Sequence, residues 1–88
     1  MFSEIDFQNG VITYCETEEI QKEDLLQVIY PNNILLDVGW YASTKAYHIY
    51  VIVQNDWEHP KIAIKTTNKK ELYQQLQAII YEIGSTGT

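Results

Sequence analysis

The stretch Asn33 to Thr66 constrains this chain most, because it holds two long apolar segments joined by a polar turn and then a third segment that alternates. Side chains on a strand point to opposite faces in turn. Ile34, Leu36, Val38 and Trp40 therefore share one face, and Leu35, Asp37, Gly39 and Tyr41 share the other. Ala46 to Gln54 is rich in β-branched and aromatic residues, which suit a pleated surface. It sets Tyr47, Ile49, Val51 and Val53 against His48, Tyr50, Ile52 and Gln54. Neither face is strongly polar, which leaves room for cover on both. Lys61 to Thr66 sets Ile62, Ile64 and Thr66 against Lys61, Ala63 and Lys65, the pattern of a sheet flank with one wet face.

Around this unit the spacing predicts further elements. Phe2 to Phe7 alternates, Asn9-Gly10 is a strong hairpin signal, and Val11 to Cys15 reads as the returning strand. Residues 16 to 31 admit two readings. Thr17 can cap a helix over 18 to 29 with Glu18 and Glu19 in its first turn and Pro31 as its stop. Alternatively an acidic loop leads to a strand Leu25 to Tyr30, with Pro31-Asn32-Asn33 forming a type I turn that ends on a left-handed residue. The last element is the clearest. Asn68 with Glu71 resembles a capping box, Leu72, Leu76, Ile79, Ile80 and Ile83 form one helical stripe, and Gly84 is placed to end it. The fold class that follows is α+β: an antiparallel sheet of five or six strands with an amphipathic C-terminal helix on one face.

Eighty-eight residues give room for one core and one domain. A chain this short buries only about 60 to 65 % of its unfolded surface, so a modest stability margin is expected. A hydrophobic fraction of 45 % with 11 aromatics excludes disorder as the main state. Cys15 is the single cysteine, so no internal disulfide forms, and a reduced, cytoplasmic setting fits. The apolar run Ile49 to Val53 is far too short to span a bilayer, and no membrane association is expected.

The net charge of −6 is unevenly placed. Residues 1 to 24 carry seven acids, Glu4, Asp6, Glu16, Glu18, Glu19, Glu23 and Asp24, against Lys22 alone, and the remainder of the chain is neutral. All six basic residues are lysines, so the side chain best suited to bidentate phosphate recognition is missing. Direct nucleic-acid binding is not expected, whereas attraction to a basic protein is.

Candidate chemistry is sparse. Asp56-Trp57-Glu58-His59 with Lys61 gathers carboxylates, an imidazole and an amine, but Glu58 and Lys61 are separated by two residues where metal-dependent nucleases place one. His48 sits in a strand dense in aromatics, where a hydrogen-bonded histidine is more usual than a catalytic one, and Cys15 in a strand reads as a small apolar residue with nothing beside it to offer a base. No metal or cofactor is called for. Asp37, inside an apolar strand, must meet solvent, accept a hydrogen bond or bind something. The residues expected at a partner surface are Glu16, Glu18, Glu19, Glu23, Asp24, Asp37, Tyr41, Asp56, Trp57 and Glu58.

The phrases Leu36-Asp37-Val38-Gly39-Trp40-Tyr41 and Asp56-Trp57-Glu58-His59-Pro60, followed by a capped C-terminal helix, resemble the small α+β immunity proteins of bacterial polymorphic-toxin and contact-dependent inhibition systems. The resemblance covers roughly residues 33 to 83. It implies a non-enzymatic inhibitor that binds and neutralises a cognate toxin domain, often a nuclease with a basic cleft. No catalytic residues carry over. Two rival classes stand beside it: a small metal-dependent hydrolase using Asp56, Glu58, His59 and Lys61, and an oligomeric structural protein pairing through a sheet edge.

Overall fold

Alternating apolar residues need a partner strand for their backbone and a layer for their side chains, and the computed structural model of the chain satisfies both needs. It describes residues 2, 4–16 and 22–86, the side chains of 85 and 86 excepted. Five strands run in chain order: β1 (Val11–Cys15), β2 (Leu26–Tyr30), β3 (Ile34–Tyr41), β4 (Ala46–Val53) and β5 (Ile62–Thr66). Each pairs antiparallel with the next, so the sheet is an open meander with β1 and β5 at its edges. One helix, α1 (Lys69–Thr86), packs across it.

Register decides which side chains share the core. Leu26 stands opposite Val38, Val28 opposite Leu36, Val38 opposite Ile49 and Ile49 opposite Ile64. This face meets the helical stripe, where Leu72 and Leu76 are fully buried and Ile79, Ile80 and Ile83 nearly so. Asn68 Oδ1 accepts the Glu71 N–H at 3.1 Å, one half of a capping box. The other half is replaced: Asn68 N–H donates to Thr66 Oγ1, tying the cap to the end of β5. Gly84 does not end the helix, which continues through Thr86 with the Gln8 side chain lying against Gly84.

Three expectations need correction. Residues 4 to 7 form no strand: Phe2, Ile5 and Phe7 are buried among the helix and the sheet, and Phe2 meets Tyr73 with ring centroids 5.8 Å apart. Burying all three large apolar side chains outweighs the hairpin ladder, which would have set Phe2 on the opposite face from Ile5 and Phe7. The left-handed turn residue is Gln8, and Gly10 serves another purpose, since its backbone passes so close to Val28 and Tyr30 that a side chain there would collide with them. After Pro31, both Asn32 and Asn33 are left-handed, at φ 69° and 58°, where a single such residue is expected. Among the described residues no helix or strand lies over the second sheet face, where the Tyr41, His48 and Tyr50 rings pack against one another. Of the two readings for residues 16 to 31, strand β2 is the one formed, and residues 17 to 21 of the acidic segment before it lie outside the described residues.

Tyr30 sits on the core face, and among the described residues its buried hydroxyl has no hydrogen-bond partner. Burial, with Asp6 nearby, pushes its phenol up to about 12. Among the described residues no helix is long and apolar enough to cross a membrane.

Candidate functional site

The site is built where β1 returns to β2. Two backbone hydrogen bonds extend the β2–β3 ladder beyond Leu26: Leu25 N–H donates to Val38 O at 2.9 Å, and Trp40 N–H donates to Lys22 O at 2.8 Å. Between them Glu23 and Asp24 face the single residue Gly39, which makes a bulge of two residues against one. The carbonyl of Glu23 occupies the space where a side chain at 39 would stand, so only glycine fits. The consequence is that two adjacent exposed acids are held out at one end of the sheet.

Beside them opens a crevice of about 590 Å³. Trp40 reaches it from the helix side of β3, Tyr41 from the other side, and Tyr14 from β1, with Glu23 and Asp24 at its rim. Lys22 is the one basic residue lining it, and its Nζ lies 3.3 Å from Glu16 Oε1. Tyr14 OH donates to the same carboxylate at 3.2 Å. Neither Glu23 nor Asp24 is paired with a lysine among the described residues.

Tyr41 joins the crevice to the open sheet face. Its ring meets His48 edge-on at 4.8 Å, and His48 stacks on Tyr50 at 5.9 Å. His48 Nδ1 lies 3.2 Å from Tyr50 OH, His48 Nε2 lies 2.8 Å from Thr44 Oγ1, and Thr44 Oγ1 lies 3.3 Å from Tyr41 O. One polarity satisfies all three contacts together: Tyr50 OH donates to Nδ1, Nε2–H donates to Thr44, and Thr44 donates to the Tyr41 carbonyl. In that arrangement the three contacts brace the β3–β4 turn. Burial, and after it the Lys65 ammonium, push His48 below its ordinary value.

Asp37 lies under this face, 6 % exposed, opposite Tyr50 on β4 and Gln27 on β2. Gln27 Nε2 donates to its Oδ1 at 3.3 Å. Burial raises its carboxyl above the ordinary value, Gln27 opposes the rise, and Asp24 adds to it. The sign follows: an acid whose folded value exceeds its unfolded one destabilises the fold once ionised, and the penalty is relieved as pH falls through the folded value towards about 3.8. Asp37→Asn is therefore expected to raise the thermal midpoint at pH 7, with the gain shrinking towards pH 4. A midpoint that falls at pH 7 would mean that the ionised carboxylate is needed by the fold. Tyr41 is also raised, first by burial and next by Asp37.

The residues expected at a partner surface do not form one patch. Glu16, Glu23, Asp24 and Tyr41 gather at the crevice end, and Asp37 lies beneath the adjoining face. Glu18 and Glu19 lie outside the described residues. Asp56, Trp57 and Glu58 are exposed in the β4–β5 loop at the far end of β4, a strand length of about 25 Å away. There His59 Nδ1 and Asp56 Oδ1 approach to 3.2 Å, and Trp57 is half exposed. Among the described residues no three His, Cys, Asp or Glu side chains stand close enough to hold a metal ion. Cys15 is on the core side of β1, on the opposite face from His48. Sequence reasoning missed Tyr14, Lys22, Trp40 and the role of Gly39. The signal for the last was present, because a glycine inside a strand marks a bulge or a close backbone approach. Comparison of the chain with protein-family models, curated proteins and solved structures finds no match.

Proposed function

We propose that this chain is a non-enzymatic, immunity-like inhibitor that binds a basic toxin domain through the acidic, aromatic-lined end of its sheet. One observation carries the reading: the Gly39 bulge holds Glu23 and Asp24 out beside the crevice of Tyr14, Trp40 and Tyr41, and its one lining lysine already bridges to Glu16. Exposed carboxylates steer a cationic partner during approach, and half-buried aromatic rings supply the area that holds it afterwards.

The test is capture of the partner from native lysate, followed by surface-binding kinetics at several salt concentrations. Charge steering fades as ions screen exposed charges beyond roughly 8 Å at physiological ionic strength. Replacing Glu18, Glu19 and Glu23 by Gln should slow association and flatten its salt dependence, with little change in release. Tyr41→Ala should chiefly speed release, by about 2 kcal/mol. Association that ignores both salt and the triple substitution would reject charge steering. A larger effect from Trp57→Ala than from Tyr41→Ala would move the contact to the β4–β5 loop.

A further inference from the structure

We infer that the outer edge of β1 is a docking strand, to which a basic protein partner adds an extended segment as a sixth strand. The inference rests on the proposed function only for the sign of the partner's charge. Its own basis is the contrast between the two sheet edges. Beyond β5 the edge is guarded by Pro60, Lys61 and Lys65, residues that resist strand addition because proline cannot donate to a ladder and lysine must stay solvated. The β1 edge, Val11-Ile12-Thr13-Tyr14-Cys15, carries neither.

Exposed apolar area gathers on that same edge. Val11 is 64 % exposed, Ile12 48 % and Ile29, which stands opposite Val11, 47 %. Val11 and Ile12 point to opposite faces, so no layer on one side of the sheet covers both; a strand laid alongside β1 does. Among the described residues, the backbone of Val11 to Cys15 has no hydrogen-bond partner outside β2. Strand addition would supply the missing backbone bonds and cover the apolar side chains together.

Charge selects the occupant. A second copy pairing through β1 would set two acidic quarters side by side, each with seven acids against Lys22. Like charges across a strand pair are destabilising. A foreign strand with lysine or arginine at its ends instead meets the net negative charge carried by residues 1 to 24.

A capped synthetic peptide of alternating valine and threonine between terminal lysines serves as the probe, with amide hydrogen exchange read at each residue of the full chain. Binding should slow exchange at amides of Val11 to Cys15 and leave β5 unchanged. The same peptide with terminal glutamates should bind about tenfold more weakly, and one N-methylated along one edge should not protect β1. Ile12→Lys should abolish the protection while circular dichroism shows the fold retained. Equal binding by the N-methylated peptide, or protection at β5 in place of β1, would overturn the inference. So would β1 protection that rises with the chain's own concentration alongside a dimer in sedimentation. A captured partner with salt-steered association but indifferent to Ile12→Lys would overturn the docking strand alone. Loss of binding in Ile12→Lys with salt-independent association would support the docking strand and reject the charge reading.

Discussion

Leu76→Ala is expected to lower the thermal midpoint by about 8 °C or more. Leu76 is fully buried at the centre of the helical stripe, between Leu72 and Ile79–Ile80, against the core face of the sheet. Truncating such a side chain removes its transfer free energy and leaves a cavity, a loss of about 2 to 5 kcal/mol. A domain of this size has a total stability of roughly 4 to 13 kcal/mol and shifts its midpoint by about 4 to 8 °C per kcal/mol. The substitution therefore removes a large share of the margin. Gln77→Ala, exposed on the same helix, is the control and should stay within about 0.5 kcal/mol of the parent. A midpoint unchanged by Leu76→Ala would take the helix out of the core.

Gly39→Val should destabilise the chain by about 1 to 3 kcal/mol, although valine is the better strand former by intrinsic preference. Gly39 has no left-handed backbone that would require glycine; the cost is wholly steric. Any side chain there enters the Glu23 carbonyl, which belongs to the backbone and cannot swing aside. Overpacking of this kind costs about 1 to 3 kcal/mol, and relieving it by lifting residues 22 to 25 gives up two backbone hydrogen bonds worth roughly 0.5 to 1.5 kcal/mol each. Amide exchange at Leu25 and Trp40, the two donors, should accelerate ahead of the rest of the sheet. If both amides stay protected and the midpoint holds, the close approach of Glu23 to Gly39 is wrong. The same variant should also disperse Glu23 and Asp24, so partner association should slow even where the fold survives at low temperature.

Periodicity and local chemistry made the central part of the chain legible. The alternation in Ile34 to Tyr41 and Ala46 to Val53 assigns each side chain to a face, because a strand has only two, and a slip by one residue would turn every apolar side chain outward. The stripe from Leu72 to Ile83 and the Asn68 cap fix the helix for the same reason: spacing and backbone hydrogen bonding are properties of neighbours along the chain. What depended on distant neighbours was not legible. Phe2 to Phe7 has the alternation of a strand, yet its three apolar side chains gain more against Tyr73 and the core than in a hairpin. Only the finished sheet and helix provide that gap, so local pattern could not reveal it. The expected surface residues were distributed by topology in the same way, since β4 carries Asp56, Trp57 and Glu58 to the end of the sheet opposite Glu23 and Asp24.

The sequence by itself determined the strand and helix periods, the face on which each central side chain lies and the concentration of negative charge in the first quarter. Those are fixed by spacing and composition. Tertiary structure alone decided that Glu23 folds onto Gly39, that Tyr41 and Trp40 meet at a crevice from opposite faces of one strand, that no helix or strand among the described residues covers one sheet face, and that β1 became an edge. Each of these is a contact between segments set side by side by register and chain reversal, and the free energy of such a contact is carried by pairs that no local window contains.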